Sequence, residues 1–295
     1  MLSRRASGHL NLMDKGGSTW PSGPDYRALA AASARSLRAV EPGIPVDLFT
    51  DDPGAAEPGL FDSVHRIDDP HPRSKLDCLG RTRFDRTLFL DADTLVLAPL
   101  GDLFDVLDRF ELALAHDVRR ATGLIRESAG EPTPYAFPQL NSGVLLYRKS
   151  PAMRAFFAEW ARRFAASGGL RDQPVLKALL WESDLRFWVL PPEFNLRRVT
   201  LLDAWEPGDA LPTILHSHRL MDHMRGETAQ ITDPVALVEA ERAALFSRRN
   251  GRRRAGATPI RSGGFSGNGA SGGRGSGGVE PGVHRLADLV GLGPL

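Results

Sequence analysis

The run TLFL at residues 87–90 passes directly into Asp91-Ala92-Asp93, and the chain turns apolar again from Leu95. An apolar run without alternation fits a short strand covered on both faces, as in the centre of a sheet with helices above and below. That commits the chain to a layered α/β architecture. In such open sheets ligands bind outside the C-terminal ends of the strands, which is where Asp91 and Asp93 fall. If the backbone stays extended, a spacing of two places both carboxylates on one side. Two hard oxygen donors there suit Mg²⁺ or Mn²⁺. The structural alternative makes one carboxylate a turn former and puts the other in an ion pair.

The flanking sequence keeps the α/β pattern. Residues 25–40 are Ala-rich, with Leu29, Ser33, Leu37 and Val40 on one helical face. PVDLFTDD (45–52) reads as a strand, SKLDCLGRTRF (74–84) as a helix, and DLFDVLDRF as a helix capped by Asp102. ELALA (111–115) and NSGVLLYR (141–148) read as strands. Ser150-Pro151 opens a helix with Met153, Phe156, Phe157, Trp160 and Phe164 on its stripe. DQPVLKALLWE (172–182) is a further helix, and RFWVLP and TILH (213–216) are strands. Strands alternating with helices indicate a sheet with helices on both faces. Residues 116–140, rich in Pro, Gly and charge, suit a flap or surface padding.

Charge divides the chain. Residues 247–275 hold seven Arg and no acid, whereas residues 1–246 hold 29 basic and 34 acidic residues, a net of −5. A segment so rich in Gly, Ser and Arg cannot bury enough apolar surface to offset its ordering entropy. The expected organisation is therefore a folded domain over 1–246, a disordered segment over 247–278, and a short C-terminal segment over 279–295 in which VHRLADLV has helical spacing. The basic segment suits weak polyanion binding or plain solubilisation. No stretch approaches about 18 apolar residues, so no membrane span is expected. The N-terminus lacks a signal-peptide core, and the single cysteine, Cys78, excludes an intramolecular disulfide. A cytoplasmic protein is the expectation.

Two enzyme classes place D-x-D after an apolar strand. Haloacid-dehalogenase-type phosphatases put a Thr four residues after the first Asp; here that position is Leu95, and Thr94 comes one residue early. The other class is the nucleotide-sugar glycosyltransferase. The ordered series SKLDCLGRTRFDRTLFLDADTLVLAPLGDLF, LNSGVLLYRKS, RDQPVL, LPPEFNLR and ILHSH resembles GT-A-fold glycosyltransferases. It is most similar to the glycogenin-like family 8 and its bacterial relatives, over about residues 25–220.

The resemblance implies a GT-A fold with a mixed central sheet, a nucleotide-diphosphate sugar as donor, Mn²⁺ or Mg²⁺ as cofactor, and retention of anomeric configuration. It places the metal on Asp91, Asp93 and His216, with His218 as runner-up. It sets Lys75, Asp91, Ala92, Ser142 and Gly143 against the donor, with Thr50 and Asp51 meeting base or ribose. Asn141, Asp172 and Gln173 fall near the donor sugar; Asn141-Ser142-Gly143 also reads as a tight turn, and Asp172 as a helix N-cap. The family's Gly…Lys-Pro-Trp element is missing, and Arg219 and Arg225 are the nearby cations. The family opens with a strong apolar strand, of which HLNLMDKGG is a poor version. A catalytically degenerate sugar- or nucleotide-binding protein of this fold, and the phosphatase, stay open as alternatives. A pyrophosphorylase of similar fold lacks its Gly-rich, Arg-containing loop here.

Overall fold

The computed structural model describes residues 9–13, 24–117, 133–134, 136–168, 171–206, 208–226, 229–231 and 233–254. The proposed flap falls mostly outside the described residues, as do the basic segment beyond Arg254 and VHRLADLV.

The strands are β1 (His9–Met13), β2 (Val46–Thr50), β3 (Ser63–Arg66), β4 (Arg86–Asp91), β5 (Thr94–Val96), β6 (Leu112–Ala115), β7 (Val144–Arg148), β8 (Phe187–Leu190) and β9 (Ile214–His216). The helices are α1 (Pro24–Val40), α2 (Lys75–Cys78), α3 (Pro151–Ser167), α4 (Gln173–Glu182) and α5 (Pro234–Arg254). Among the described residues seven strands form one sheet in the order β3-β2-β1-β4-β7-β6-β8. All neighbours run parallel except β7, which is antiparallel to both β4 and β6. The sheet is thus mixed, as expected.

The strand order explains the apolar character of TLFL. β4 is central, and Leu88, Phe89 and Leu90 are all buried. Phe89, together with Phe49, Leu145 and Tyr147, faces the core built by Met153, Phe156, Phe157 and Trp160 of α3 and by α4. The opposite face is covered by α1, whose Leu29, Ala30, Ala34 and Leu37 are buried. Ser150 caps α3 by accepting from Met153 N, and Gly168 ends it in the left-handed region, as Ser150-Pro151 announces. HLNLM, weak as a sequence signal, lies between β2 and β4, with Met13 in register with Asp91.

Two expectations are corrected. The helix expected over 74–84 is only one α-turn, α2, followed by a 3₁₀ turn at Leu79–Arg81, where Gly80 disfavours continuation. The segment after Asp102 is a 3₁₀ stretch, Leu103–Asp108, and Asp102 makes no side-chain cap. It is too short before β6 to sustain an α-helix. TILH is a strand, as expected; β9 lies outside the central sheet and pairs antiparallel with β5 in a separate two-stranded ribbon.

The chain divides into two units, Met1–Arg198 with Ala210–Thr232, and Val199–Asp209 with Asp233–Leu295. The second holds α5, with Leu237 and Val238 buried and Arg242 paired to Asp203. α5 continues to Arg254, eight residues past the compositional boundary at 246, because Arg is a good helix former and only Asn250-Gly251 interrupts the run. Among the described residues no helix is long and apolar enough to cross a membrane.

Candidate metal centre and donor site

The order of the sheet reverses at β1/β4: β2 and β3 extend one way from β1, and β4 starts the other half. Ligands favour this switch point, and Asp91 ends β4 there. The chain then turns rather than staying extended, which corrects the simple period-two picture. Thr94 Oγ1 donates to Asp91 O at 2.7 Å and closes the turn through Ala92 and Asp93. Ser33, the polar residue on the buried stripe of α1, lies 3.0 Å from Thr94 Oγ1, and Ser36 Oγ accepts from Val96 N. α1 thus anchors β5.

The β5–β9 ribbon completes the cluster. Thr94 pairs with His216, and Ser217 N donates to Asp93 O at 3.0 Å. One ligand atom from each of Asp91, Asp93 and His216 lies within 4.8 Å of the others, and all three residues are buried. His216 Nε2 is 3.5 Å from Asp93 Oδ1. Two carboxylates and an imidazole make a donor set suited to a divalent cation. Gly143 forms the floor: a Cβ there would come within 2.2 Å of His216 Cε1 and 3.0 Å of Asp91 Oδ2. The position is therefore closed to any side chain without its backbone being unusual. These observations fit a divalent cation. His216 joins the two carboxylates; His218, in the following 3₁₀ stretch His218–Arg225, is not in that group.

A second buried cluster touches the first. Lys75 Nζ, 3% exposed at the residue level, donates to Ser142 Oγ at 2.7 Å and Ser142 O at 3.1 Å. It lies 3.2 Å from Asp172 Oδ2 and 3.7 Å from Asp91 Oδ2. Ser142 Oγ donates to Asp172 Oδ2 at 2.7 Å, and Arg73 Nε stands 3.0 Å from Asp172 Oδ1. Burial alone would raise the Asp172 pKa. The Lys75 and then Arg73 charges outweigh it, the Ser142 hydroxyl adds to them, and the carboxyl is held well below the ordinary carboxylate range. Asp172 makes no side-chain cap on α4, a correction of the N-cap reading; its carboxylate is taken by the cations.

Gln173 faces a different partner. Its Nε2 donates to Asp117 Oδ2 at 2.6 Å and to Leu140 O at 3.0 Å. Both partners only accept, so the amide orientation is fixed and Oε1 points elsewhere. Asn141 Oδ1 accepts from Gly143 N at 3.0 Å and from Asn195 Nδ2 at 2.9 Å. Thr50 and Asp51 sit at the end of β2, two strand spacings, about 10 Å, from β4. Asp51 is paired with Arg27 at 3.3 Å. Arg219 and Arg225 both pair with the buried Asp222, at 2.8 and 3.2 Å.

Sequence reasoning missed Asn195, Asp117 and Arg73. Asn195 lies in LPPEFNLR, a segment noticed for its order in the chain and given no role. Arg73 sits just before the SKLD motif. Asp117 had no signal beyond its place at the end of ELALAHD.

The sequence matches no protein-family model and no curated protein. The fold is matched among solved structures. An active-site mutant of LgtC aligns at 15% identity over 76% of this chain and 97% of that chain, with a TM-score of 0.52. The galactosyltransferase LgtC in complex with donor and acceptor sugar analogs aligns at 17% identity over 76% and 97%, with a TM-score of 0.51. The fold is that of GT-A-type glycosyltransferases. The phosphatase alternative gains nothing from it.

Proposed function

We propose that this protein is a metal-dependent glycosyltransferase. It moves a sugar from a nucleotide-diphosphate donor to an acceptor hydroxyl, with retention at the anomeric carbon. The observation that carries the reading is the convergence of Asp91, Asp93 and His216 at the switch point of a GT-A sheet, over a glycine floor. A divalent cation bound there would offset the charge that builds on the donor's diphosphate as the glycosidic bond breaks.

The remaining work falls to the chain. Asp91 and Asp93 offer acceptor oxygens, and His216 offers a ring nitrogen. Lys75 lies between Asp91 and Asp172, so a single buried ammonium links the metal centre to the sugar-side carboxylate. Asp172 stays ionised and held from two sides, a rigid acceptor for a sugar hydroxyl. Gln173 presents Oε1, since its nitrogen is taken by Asp117 and Leu140. Thr50 and Asp51 meet the nucleoside at the end of β2, beyond β1. Retention rests on the resemblance to family 8. The free thiol of Cys78 suits a reducing cytoplasm.

The test is a thermal-shift panel of nucleoside diphosphates and their sugars, with and without Mn²⁺. A specific ligand at a hundredfold excess over its Kd stabilises the fold by about 2.7 kcal/mol. One nucleotide should raise Tm only when Mn²⁺ is present. No Mn²⁺-dependent shift across the panel would contradict the proposal.

A further inference from the structure

The hydrogen bonds behind His216 determine which of its ring nitrogens carries a proton. Leu196 N donates to Ile214 O at 2.7 Å and His216 N donates to Leu196 O at 3.1 Å, so the segment after the 3₁₀ turn Pro192–Asn195 runs beside β9. That places the buried Asn195 against the imidazole.

The assignment starts from a group that has no choice. Gly143 N–H can only donate, so the Asn141 atom it meets at 3.0 Å is the carbonyl oxygen. That oxygen can only accept, so the Asn195 atom 2.9 Å away is the amide nitrogen. The other terminal atom of Asn195 is then its oxygen. It lies 3.0 Å from His216 Nδ1, and that nitrogen must carry the proton. Nε2 is left to the metal cluster, 3.5 Å from Asp93 Oδ1. Amide and ring orientations are ordinarily open choices; here a backbone N–H closes each of them in turn.

We propose that Asn141 and Asn195 are positioning residues. They lock His216 in its Nδ1–H tautomer and make Nε2 the nitrogen that binds the cation. Groups behind a ligating histidine commonly fix its tautomer and orientation, and their loss lowers metal affinity about 10–100-fold. This gives the Asn141 oxygen a role distinct from contact with a sugar. Only the final step, binding by Nε2, rests on the proposed metal-dependent reading; the tautomer is a property of the chain alone.

The experiment is long-range proton–nitrogen NMR on metal-free, ¹⁵N-histidine-labelled protein at pH 8.5, with the His216 signals assigned by their loss in His216→Gln. The wild-type ring should carry its proton on Nδ1. Asn195→Leu, close in size, should give a mixture of tautomers and weaken calorimetric Mn²⁺ affinity 10–100-fold. Asn195→Asp still accepts from Nδ1–H, so it should keep the tautomer, although it takes the amide donor away from Asn141 Oδ1. A wild-type ring protonated on Nε2, or on both nitrogens, would overturn the proposal. So would a wild-type tautomer in Asn195→Leu. If Asn195→Leu does not fold, the wild-type spectrum and Asn195→Asp decide. If wild type binds no Mn²⁺ yet shows the Nδ1–H form, the metal reading falls and the lock stands.

Discussion

Gly143 and His216 are in such close apposition that a Cβ on the glycine would lie 2.2 Å from Cε1 and 2.9 Å from Nδ1 of the ring. Real Cβ atoms do not approach this closely, and the ring can swing aside only by giving up the hydrogen bond from Nδ1 to Asn195. Overpacking of this kind costs about 1–3 kcal/mol. Gly143→Ala is expected to push His216 off the cluster, keep the circular dichroism of the fold, and lower Mn²⁺ affinity at least about tenfold. Titration calorimetry beside a melting curve checks both halves. A well-folded variant with wild-type Mn²⁺ affinity would mean that His216 is not a ligand.

The Lys75–Asp172 pair predicts a stability effect with a defined pH window. Removing one partner of a buried pair costs about 3–5 kcal/mol. Lys75→Met should therefore be strongly destabilising, and Lys75→Met with Asp172→Asn less so. The folded-state pKa of Asp172 is lowered from 3.8. Its contribution is therefore complete above the unfolded value and is lost as pH falls through the lower folded value. The Tm gap between wild type and Asp172→Asn should be flat from pH 7 to about pH 5 and narrow below about pH 4. A gap that is constant down to pH 2 would contradict the ionised, paired carboxylate.

Cys78 offers a check on the core beneath α2. The residue is 3% exposed, and burial, the dominant cause, pushes its thiol up to about 12, with Arg81 opposing and Asp77 adding. At pH 8 the thiolate fraction is then roughly one in ten thousand. Iodoacetamide should leave the native protein unmodified over an hour and add one group in guanidinium, as read by mass spectrometry. Rapid labelling of the native protein would show that this part of the fold opens.

The course of α5 to Arg254 refines the expectation for the basic segment. Arg248, Arg249, Arg252, Arg253 and Arg254 lie on its last turns, whereas residues 255–295 contain only Arg261, Arg274 and Arg285. Truncation after Arg254 should retain most heparin binding at low salt, and replacing the five helical arginines by Ala should abolish it. That binding should weaken steeply as salt rises. Equal retention by all forms would show that the segment makes no polyanion contacts.

The sequence made legible what depends on local pattern. TLFL announced a doubly covered strand, and Asp91 and Asp93 marked its C-terminal end; that this end is the switch point comes only from the strand order. Ser150-Pro151 announced α3 for the same local cause. What failed to show depends on partners distant in the chain. A three-residue strand such as β9 gives no sign of whether it pairs with the sheet or with β5. Asp172 has the composition of an N-cap, yet two cations brought in from residues 73 and 75 take its carboxylate. Asn195 reads as an ordinary polar residue until β9 runs beside Leu196.

The central claim is that Asp91, Asp93 and His216 hold a cation that in turn holds a nucleotide diphosphate. The most direct measurement is calorimetric titration of the responding nucleoside diphosphate into wild type, Asp91→Asn and Asp93→Asn, each with and without Mn²⁺. Each substitution is nearly isosteric, so circular dichroism should be preserved. Wild type should bind the nucleotide in the presence of Mn²⁺, and both variants should lose the Mn²⁺-dependent part of the affinity while staying folded. Mn²⁺-dependent affinity equal to wild type in both variants would contradict the account.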